Sequence, residues 1–238
     1  MFYNGFLKFR GHTLFFSPLT FFFILIFIAL LGFLFIFVHL GIITYAFERI
    51  GIAPEYLFSL LLLTIIGSYI NIPLYKKRSE LEMPGQVIRF FGYRFIIPAP
   101  VRQQETTVAI NVGGALIPGM ISLYLIVTHL HLILQIAVAT LIVAAVAKRI
   151  SRPIRGLGIA SPPFISPLVA ALLALILSPS QAPVVAYCAG TLGVLIGADL
   201  LNADKFDKLG APVVSIGGAG TFDGVFFTGI FAVLLASL

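Results

Sequence analysis

The sequence predicts an all-α polytopic membrane protein with about seven transmembrane segments, some of them broken helices. Its 238 residues are 60% hydrophobic and 10% charged, whereas a soluble globular chain carries about 25% charged residues. The distribution of basic residues and the glycine clusters inside apolar stretches support the same class. We expect a single membrane domain over residues 1–238, multi-pass in the plasma membrane with the lipid bilayer as its partner.

The first half of the chain contains three apolar segments. Helix 1, over about residues 14–40, is too long for the apolar region of a signal peptide. Helix 2 runs from Pro54, which suits the first turn of a helix, to about Leu74. Helix 3 is predicted over residues 107–128, where Pro118 and three glycines favour a break.

The second half adds four apolar segments. Helices 4, 5 and 6 are predicted over about residues 132–147, 167–177 and 184–201. In the seventh segment, glycines at 217, 218, 220 and 224 argue against a continuous helix, because each interior glycine costs about 1 kcal/mol relative to alanine. We therefore expect a broken or re-entrant stretch to about Phe222, followed by a helix from Gly224.

Two connections stand out by their composition. Residues 76–106 form a water-facing loop in which Gln86 to Ile97 resembles a β-hairpin, so a small cytoplasmic β-hairpin insertion is predicted. Residues 151–167 are too apolar for an ordinary exposed link, and part of this stretch is expected to re-enter the bilayer. Lys148, Arg149, Arg152 and Arg155 are interpreted as topology determinants, with binding of anionic lipid headgroups as the alternative.

The basic residues set the predicted orientation. With a cytoplasmic N-terminus and seven spans, every Lys and Arg except Arg49 lies on the cytoplasmic side, as the positive-inside rule requires. The net charge of +6 therefore needs no nucleic-acid partner. A single cysteine excludes an intrachain disulfide and a thiolate zinc site, and His129 and His131 do not share a helix face. We predict no metal site and no cofactor, and leave the oligomeric state open.

Two pairs of segments resemble each other. Helix 2 ends in Ile66-Gly-Ser-Tyr-Ile-Asn71 and helix 6 in Ile196-Gly-Ala-Asp-Leu-Leu-Asn202. Helix 3 begins with Val108-Ala-Ile-Asn-Val-Gly-Gly-Ala115, and segment 7 with Val213-Val-Ser-Ile-Gly-Gly-Ala219. This order predicts a parallel internal repeat of residues 54–128 and 184–238, with chance similarity of Gly-rich and Ala-rich helices as the alternative.

The repeat predicts one polar site in the cytoplasmic half of the bilayer. An ionised Asp at the centre of a membrane helix costs about 2.5–3.5 kcal/mol, so Asp223 is expected to have a use or a partner. The two Gly-Gly-Ala breaks should face each other, with Asp223 presented at the break. A purely structural role is open for Asp223 as a helix N-cap, and for Asp199 through water or Lys205. The predicted site residues are Ser68, Asn71, Asn111, Asp199, Asn202, Thr221 and Asp223.

The motifs Gly67-Ser-Tyr-Ile-Asn-Ile-Pro73, Asn111-Val-Gly-Gly-Ala-Leu-Ile-Pro118, Gly197-Ala-Asp199 and Gly217-Gly-Ala-Gly-Thr-Phe-Asp-Gly224 resemble an uncharacterised family of prokaryotic integral membrane proteins, domain of unknown function 1614. The resemblance covers about residues 55–238. It implies a class and a location in the membrane, and no activity.

Three functions are consistent with these observations. The first is transport of a small solute, a cation or a proton, with Asp199 and Asp223 as ligands and Asn71 and Asn111 as neutral oxygen donors. The second is an intramembrane aspartyl-type hydrolase in which Asp199 and Asp223 share a proton, although their motifs depart from that of the intramembrane aspartyl proteases. The third is a structural or partner-binding membrane protein that docks a partner through residues 76–106.

Overall fold

The computed structural model describes residues 8–9, 12–13, 18–39, 41–81, 86–90, 93–97, 102–154, 158–218 and 224–238. The chain divides into two compact units, residues 1–43 and 44–238. In the first unit, strands β1 (Lys8–Phe9) and β2 (His12–Thr13) pair antiparallel. Helix α1 (Pro18–His39) follows them, which confirms the first predicted helix.

The second unit is mostly helical. The short helix α2 (Ile42–Glu48) begins two residues before this unit and ends inside it. Its own helices are α3 (Pro54–Gly67), α4 (Ile117–Thr128), α5 (Ile133–Ile150), α6 (Ile165–Leu177), α7 (Ala182–Val194) and α8 (Gly224–Ala236). Each overlaps a stretch where the sequence predicts an apolar helix, although α5 ends three residues later than predicted and α6 and α7 each begin two residues earlier. The larger differences concern the end of α3, the start of α4 and the end of α7.

Helix α7 is the centre of the helical core. Twelve of its 13 residues are buried, and it packs against α5, α6 and α8. Small residues allow this close approach. A Cβ atom added at Gly193 would lie 2.5 Å from Cγ1 of Val143 on α5, and one added at Gly190 would lie 3.2 Å from Cγ2 of Thr228 on α8. The backbone of α7 therefore lies directly against its neighbours.

A three-stranded sheet lies beside the helices. It consists of β3 (Asn71–Leu81), β6 (Arg102–Asn111) and β9 (Val213–Ile216), in the order β3-β6-β9. Strand β6 is antiparallel to β3 and parallel to β9. The β3–β6 register shifts between Pro73 and Tyr75, which is consistent with a proline that cannot donate a ladder hydrogen bond.

The all-α prediction is wrong at these three strands. They occupy the predicted end of helix 2, the predicted start of helix 3 and the predicted start of segment 7. The β-branched residues of β6 and β9 favour extended backbone, and parallel pairing of Thr107–Ile110 with Val213–Ile216 satisfies the backbone polar groups. Helical structure begins after the sheet, with the π-helical turn Val112–Leu116 that leads into α4.

Two β-hairpins complete the second unit. Strands β4 (Gln86–Phe90) and β5 (Tyr93–Ile97) pair antiparallel, so the predicted β-hairpin is confirmed while its cytoplasmic location stays a prediction. Strands β7 (Arg152–Ile154) and β8 (Gly158–Ala160) form a second antiparallel pair. This pair lies in the stretch 151–167, whose re-entry into the bilayer stays a prediction.

Within the residues whose burial is described, two helical runs are long and apolar enough to cross a membrane, Leu130–Ile150 and Pro179–Phe206. The other apolar helices found there have 10–17 residues. At 1.5 Å per residue the 14 residues of α3 extend about 21 Å, less than a hydrocarbon core of about 30 Å. The structure thus gives weak support for membrane association by length and composition, and it does not support the seven predicted spans.

Candidate functional site

Asn111 is the centre of a hydrogen-bond network that joins three strands and the end of α3. We call Ser68, Asn71, Asn111 and Ser215 the amide network. The Asn111 side chain is 1% exposed. Its Nδ2 donates to the Ser68 carbonyl oxygen at 2.6 Å and to Asn71 Oδ1 at 2.9 Å, while its Oδ1 accepts from the Gly114 N–H at 2.7 Å. Both amide hydrogens and the amide oxygen of this buried side chain are therefore used.

Asn71 and Ser215 extend the network across the sheet. Asn71 stands opposite Asn111 in the β3–β6 register, and Ser215 stands opposite Ala109 in β9. The Ser215 hydroxyl donates to Asn71 Oδ1 at 2.6 Å, so this oxygen accepts from two side chains. Ser68 takes part through its backbone carbonyl, because its hydroxyl donates to the Ile65 carbonyl in α3 at 2.7 Å.

The two Gly-Gly-Ala segments are in direct contact through Gly217. This residue has a φ of 80°, which favours glycine. A Cβ atom added here would lie 2.6 Å from both Cβ and N of Ala115. The prediction that the two segments face each other is confirmed for these described residues. Asp223, which we expect at this break, and Thr221 lie outside the described residues.

Asp199 lies at the end of a second π-helical turn, Leu195–Asp199, which we call the carboxylate turn. Its Oδ2 accepts a hydrogen bond from the Gly217 N–H at 2.7 Å. The residue is half-buried. Within the described part of the chain, neither a hydrogen bond to Oδ1 nor an ion pair to the carboxylate is present. Among the described residues, one oxygen is held by the backbone and the other has no hydrogen-bond partner, at a kind of helical irregularity that is frequent at functional sites.

Asn202 supports the carboxylate turn from its C-terminal side. Its Nδ2 donates to the carbonyl oxygens of Gly197 and Ala198, at 3.1 and 2.9 Å. Its Oδ1 accepts from Lys205 Nζ at 2.6 Å. Asn202 therefore binds two carbonyl groups of the carboxylate turn, and the Lys205 ammonium contacts this amide instead of Asp199.

The structure divides the described predicted residues between the amide network and the carboxylate turn. Ser68, Asn71 and Asn111 share the amide network, and Ser215 connects that network to β9. Two residues later in the same segment, Gly217 binds Asp199. Asn202 belongs to the carboxylate turn. Binding of a ligand by any of these residues stays a prediction.

Sequence reasoning missed Ser215 and the backbone N–H of Gly217. The missed signal is the run Val213-Val-Ser-Ile216, which is rich in β-branched residues and ends at two glycines. Such a run predicts a strand. Pairing it with the similar run Thr107-Val-Ala-Ile110 would have placed Ser215 beside Asn71 across the sheet.

A family model described as "Protein of unknown function (DUF1614)" matches residues 65–235. The chain belongs to this family. Every described residue of the amide network and of the carboxylate turn lies inside the matched region. No curated protein and no solved structure matches the chain. Membership therefore assigns no activity, and the chemistry has to be argued from the residues.

The described residues define what the site offers chemically. Asp199 supplies a carboxylate oxygen, the ligand type that small hard cations prefer. Among the described residues, no three His, Cys, Asp or Glu side chains are grouped as a metal site. A single carboxylate is suited to weak, reversible binding of a cation or a proton, in contrast to the multidentate cages of structural metal sites.

Proposed function

We propose that the chain is a multi-pass membrane protein that binds a small cation or a proton at Asp199 and moves it across the membrane. The observation that carries this proposal is the Asp199 carboxylate, which has one oxygen held by the Gly217 N–H and lies within the long apolar run Pro179–Phe206. A carboxylate at such a position in a membrane is costly and generally serves a function.

The surrounding backbone supports the same proposal. Secondary transporters build their sites from discontinuous helices that meet within the membrane. Here the π-helical turns Val112–Leu116 and Leu195–Asp199 both lie near Gly217, since Gly217 contacts Ala115 and binds Asp199. Irregular backbone of this kind is tolerated at membrane depth where protein or a wet cavity satisfies its polar groups.

The amides have a different role in this proposal. Asn111 already uses its donors and its acceptor within the protein, and Asn202 is likewise bound to backbone carbonyls and Lys205. We therefore assign these amides to the scaffold that positions Gly217 and the carboxylate turn. A small neutral solute, which would need free amide groups, is supported less well than a cation.

The direct test is ion flux in proteoliposomes. We expect the purified protein to dissipate an imposed proton, sodium or potassium gradient, and Asp199→Asn to lower the flux at least tenfold. The matched control is Asp204→Asn, which removes an exposed carboxylate from the same chain segment and should change the flux less than twofold. Wild-type flux in the Asp199→Asn protein would refute the role of Asp199, and absence of flux in the wild type would refute transport of these ions.

The proposed orientation has seven spans and a cytoplasmic N-terminus. Cys188, the single cysteine, is buried, so a Cys188→Ser protein is a suitable background for labelling. New cysteines at the exposed positions Arg49 and Glu105 should react with an impermeant maleimide from the outside and from the cytoplasm, respectively. Labelling of both from the same side would contradict the proposed number of spans between them.

The hydrolase alternative depends on a short distance between Asp199 and Asp223. Asp223 lies outside the described residues, so this alternative stays a prediction. The partner-binding alternative also stays a prediction. Its test is deletion of the β4–β5 hairpin, which should abolish co-purification of a partner while the remaining protein folds.

A further inference from the structure

A basic cleft lies where α5 ends and α6 begins. Its volume is about 690 Å³, within the range of roughly 300–1,000 Å³ that is usual for ligand pockets. Arg149 and Arg152 line one part of it, and both side chains are exposed to solvent. None of the described lining residues is acidic. Within the described part of the chain, the ion pair found joins Lys76 and Glu105, so neither arginine is neutralised by a carboxylate there.

One serine in the lining of the cleft, and two serines next to lining residues in sequence, have hydroxyls without a hydrogen-bond partner among the described residues. Ser161 lines the cleft, and its Oγ is buried without a hydrogen bond among the described residues. Two further Oγ atoms are buried without a hydrogen bond among the described residues. They belong to Ser151, which lies between the two arginines in sequence, and to Ser166, in the first turn of α6. Buried hydroxyls normally have a partner, and an exception needs an explanation such as an absent ligand or water.

The N-terminus of α6 adds donors for an anion. The residue before the helix, Phe164, supplies no side-chain cap, so the first backbone N–H groups have no side-chain acceptor. Ile165, the first residue of the helix, lines the cleft. Pro167 has no N–H, so the donors of the first turn are the N–H groups of Ile165 and Ser166, and together with the helix dipole they favour a negatively charged ligand.

We propose that this cleft binds a phosphate group, either as the headgroup of an anionic phospholipid or as a free phosphate. Two guanidinium groups suit phosphate oxygens, and the Ser161 hydroxyl and the α6 N–H groups supply further donors. Ile150, Ile154, Pro162 and Ile165 form an apolar part of the lining, which suits the carbon chain next to a lipid phosphate. This site is separate from Asp199 and does not depend on transport.

The experiment measures binding with two probes on the intact purified protein. Inorganic phosphate is titrated in neutral detergent against chloride at equal ionic strength. Phosphatidylglycerol is titrated in nanodiscs against phosphatidylcholine. Binding of phosphatidylglycerol alone identifies a lipid headgroup site, and binding of inorganic phosphate identifies a free-phosphate site. Absence of binding by both probes would overturn the proposal.

The variants separate a built site from general positive charge. Arg149→Gln/Arg152→Gln should weaken the binding probe at least tenfold, and Ser161→Ala about fivefold. Lys148→Gln is the matched control, because Lys148 is exposed and adjacent in sequence but is not among the residues that line the cleft. It should change affinity less than twofold. An equal loss in Lys148→Gln would overturn the proposal. If the double variant does not fold, Ser161→Ala decides: unchanged affinity in that variant counts against the site.

Discussion

The amide network includes Ser215 of β9, and the carboxylate turn binds Gly217, which directly follows that strand. The two regions differ in how completely their hydrogen-bonding groups are used. Asn111 uses both donors and its acceptor within the protein. Asp199 uses one oxygen, and in the described part of the chain the other has no hydrogen bond. A buried group that is fully bonded stabilises the fold, whereas a charged group with free capacity can bind something else.

Because of this difference, the same kind of substitution should have different effects in the two regions. Exchange between Asn and Asp keeps the side-chain shape and changes the donors and the charge. In the amide network such an exchange removes donors that the fold needs. At the carboxylate turn it keeps the acceptor that Gly217 needs and removes only the charge. Substitutions in the two regions should therefore differ in their effect on stability.

Asn111→Asp should have the largest effect on stability. A carboxylate cannot donate to the Ser68 carbonyl or to Asn71 Oδ1, and it would be an unpaired charge at a position that is 1% exposed. Breaking a buried polar arrangement in this way costs about 3–5 kcal/mol. The measurement is the free energy of unfolding in detergent micelles. A loss below about 1 kcal/mol would show that the amide network is not structural.

Gly217→Ala should cost about 3 kcal/mol, because the residue joins the two regions. Its φ of 80° is strained by about 1–2 kcal/mol for an L-residue, and the added Cβ would overlap Ala115. Gly119→Ala in α4 is the control, since a Cβ there meets nothing within 4 Å. That variant should be neutral or up to about 1 kcal/mol more stable. Equal melting temperatures for the two alanine variants would contradict the contact between the segments.

Ser215→Ala should cost about 1 kcal/mol, the usual net contribution of one hydrogen bond. The loss is limited because Asn71 Oδ1 still accepts from Asn111 Nδ2 at 2.9 Å. Comparison with Ser237→Ala is informative, because that hydroxyl makes a local bond to the Val233 carbonyl in α8. We expect a larger loss of unfolding free energy at Ser215, and the reverse order would argue against a network that spans the sheet.

Asp199→Asn should have the smallest effect on stability, below about 0.5 kcal/mol, because Asn Oδ1 can still accept from the Gly217 N–H. Asp199→Ala removes this acceptor and should cost about 1–2 kcal/mol more than the Asn variant. Chemical unfolding of both proteins checks the order. If Asp199→Asn is as unstable as Asp199→Ala, the charge itself is part of the fold, and the proposal of a free carboxylate for cation binding loses its main support.

The helices and the hairpin were predictable because their signals are local. Long apolar runs, Pro54 at the first turn of α3 and the proline-bounded segment from Gln86 to Ile97 identify those elements without knowledge of the neighbours. The contact between the Gly-Gly-Ala segments was also predictable, because backbone polar groups that are removed from water need partners within the protein. The interactions that determine these features join residues that are close in the chain, or they join two segments with a similar sequence.

The sheet and the division of roles within the candidate site were not predictable in the same way. The sequence predicts a broken or re-entrant stretch here, and Val213–Ile216 forms a strand because β6 offers a parallel partner. The sequence also names Asn111 and Asp199 as equal candidates for binding.

The apolar helices, the family and the residues around which a polar site can form follow from the amino-acid sequence alone. Which of those residues already have hydrogen-bond partners within the protein depends on the tertiary structure. The physical reason is that a polar side chain is defined by its partners. Asn111 receives its partners from α3, β3 and the turn before α4, and Asp199 receives one from Gly217, 18 residues away. Such pairings across the fold leave no local signal in the chain.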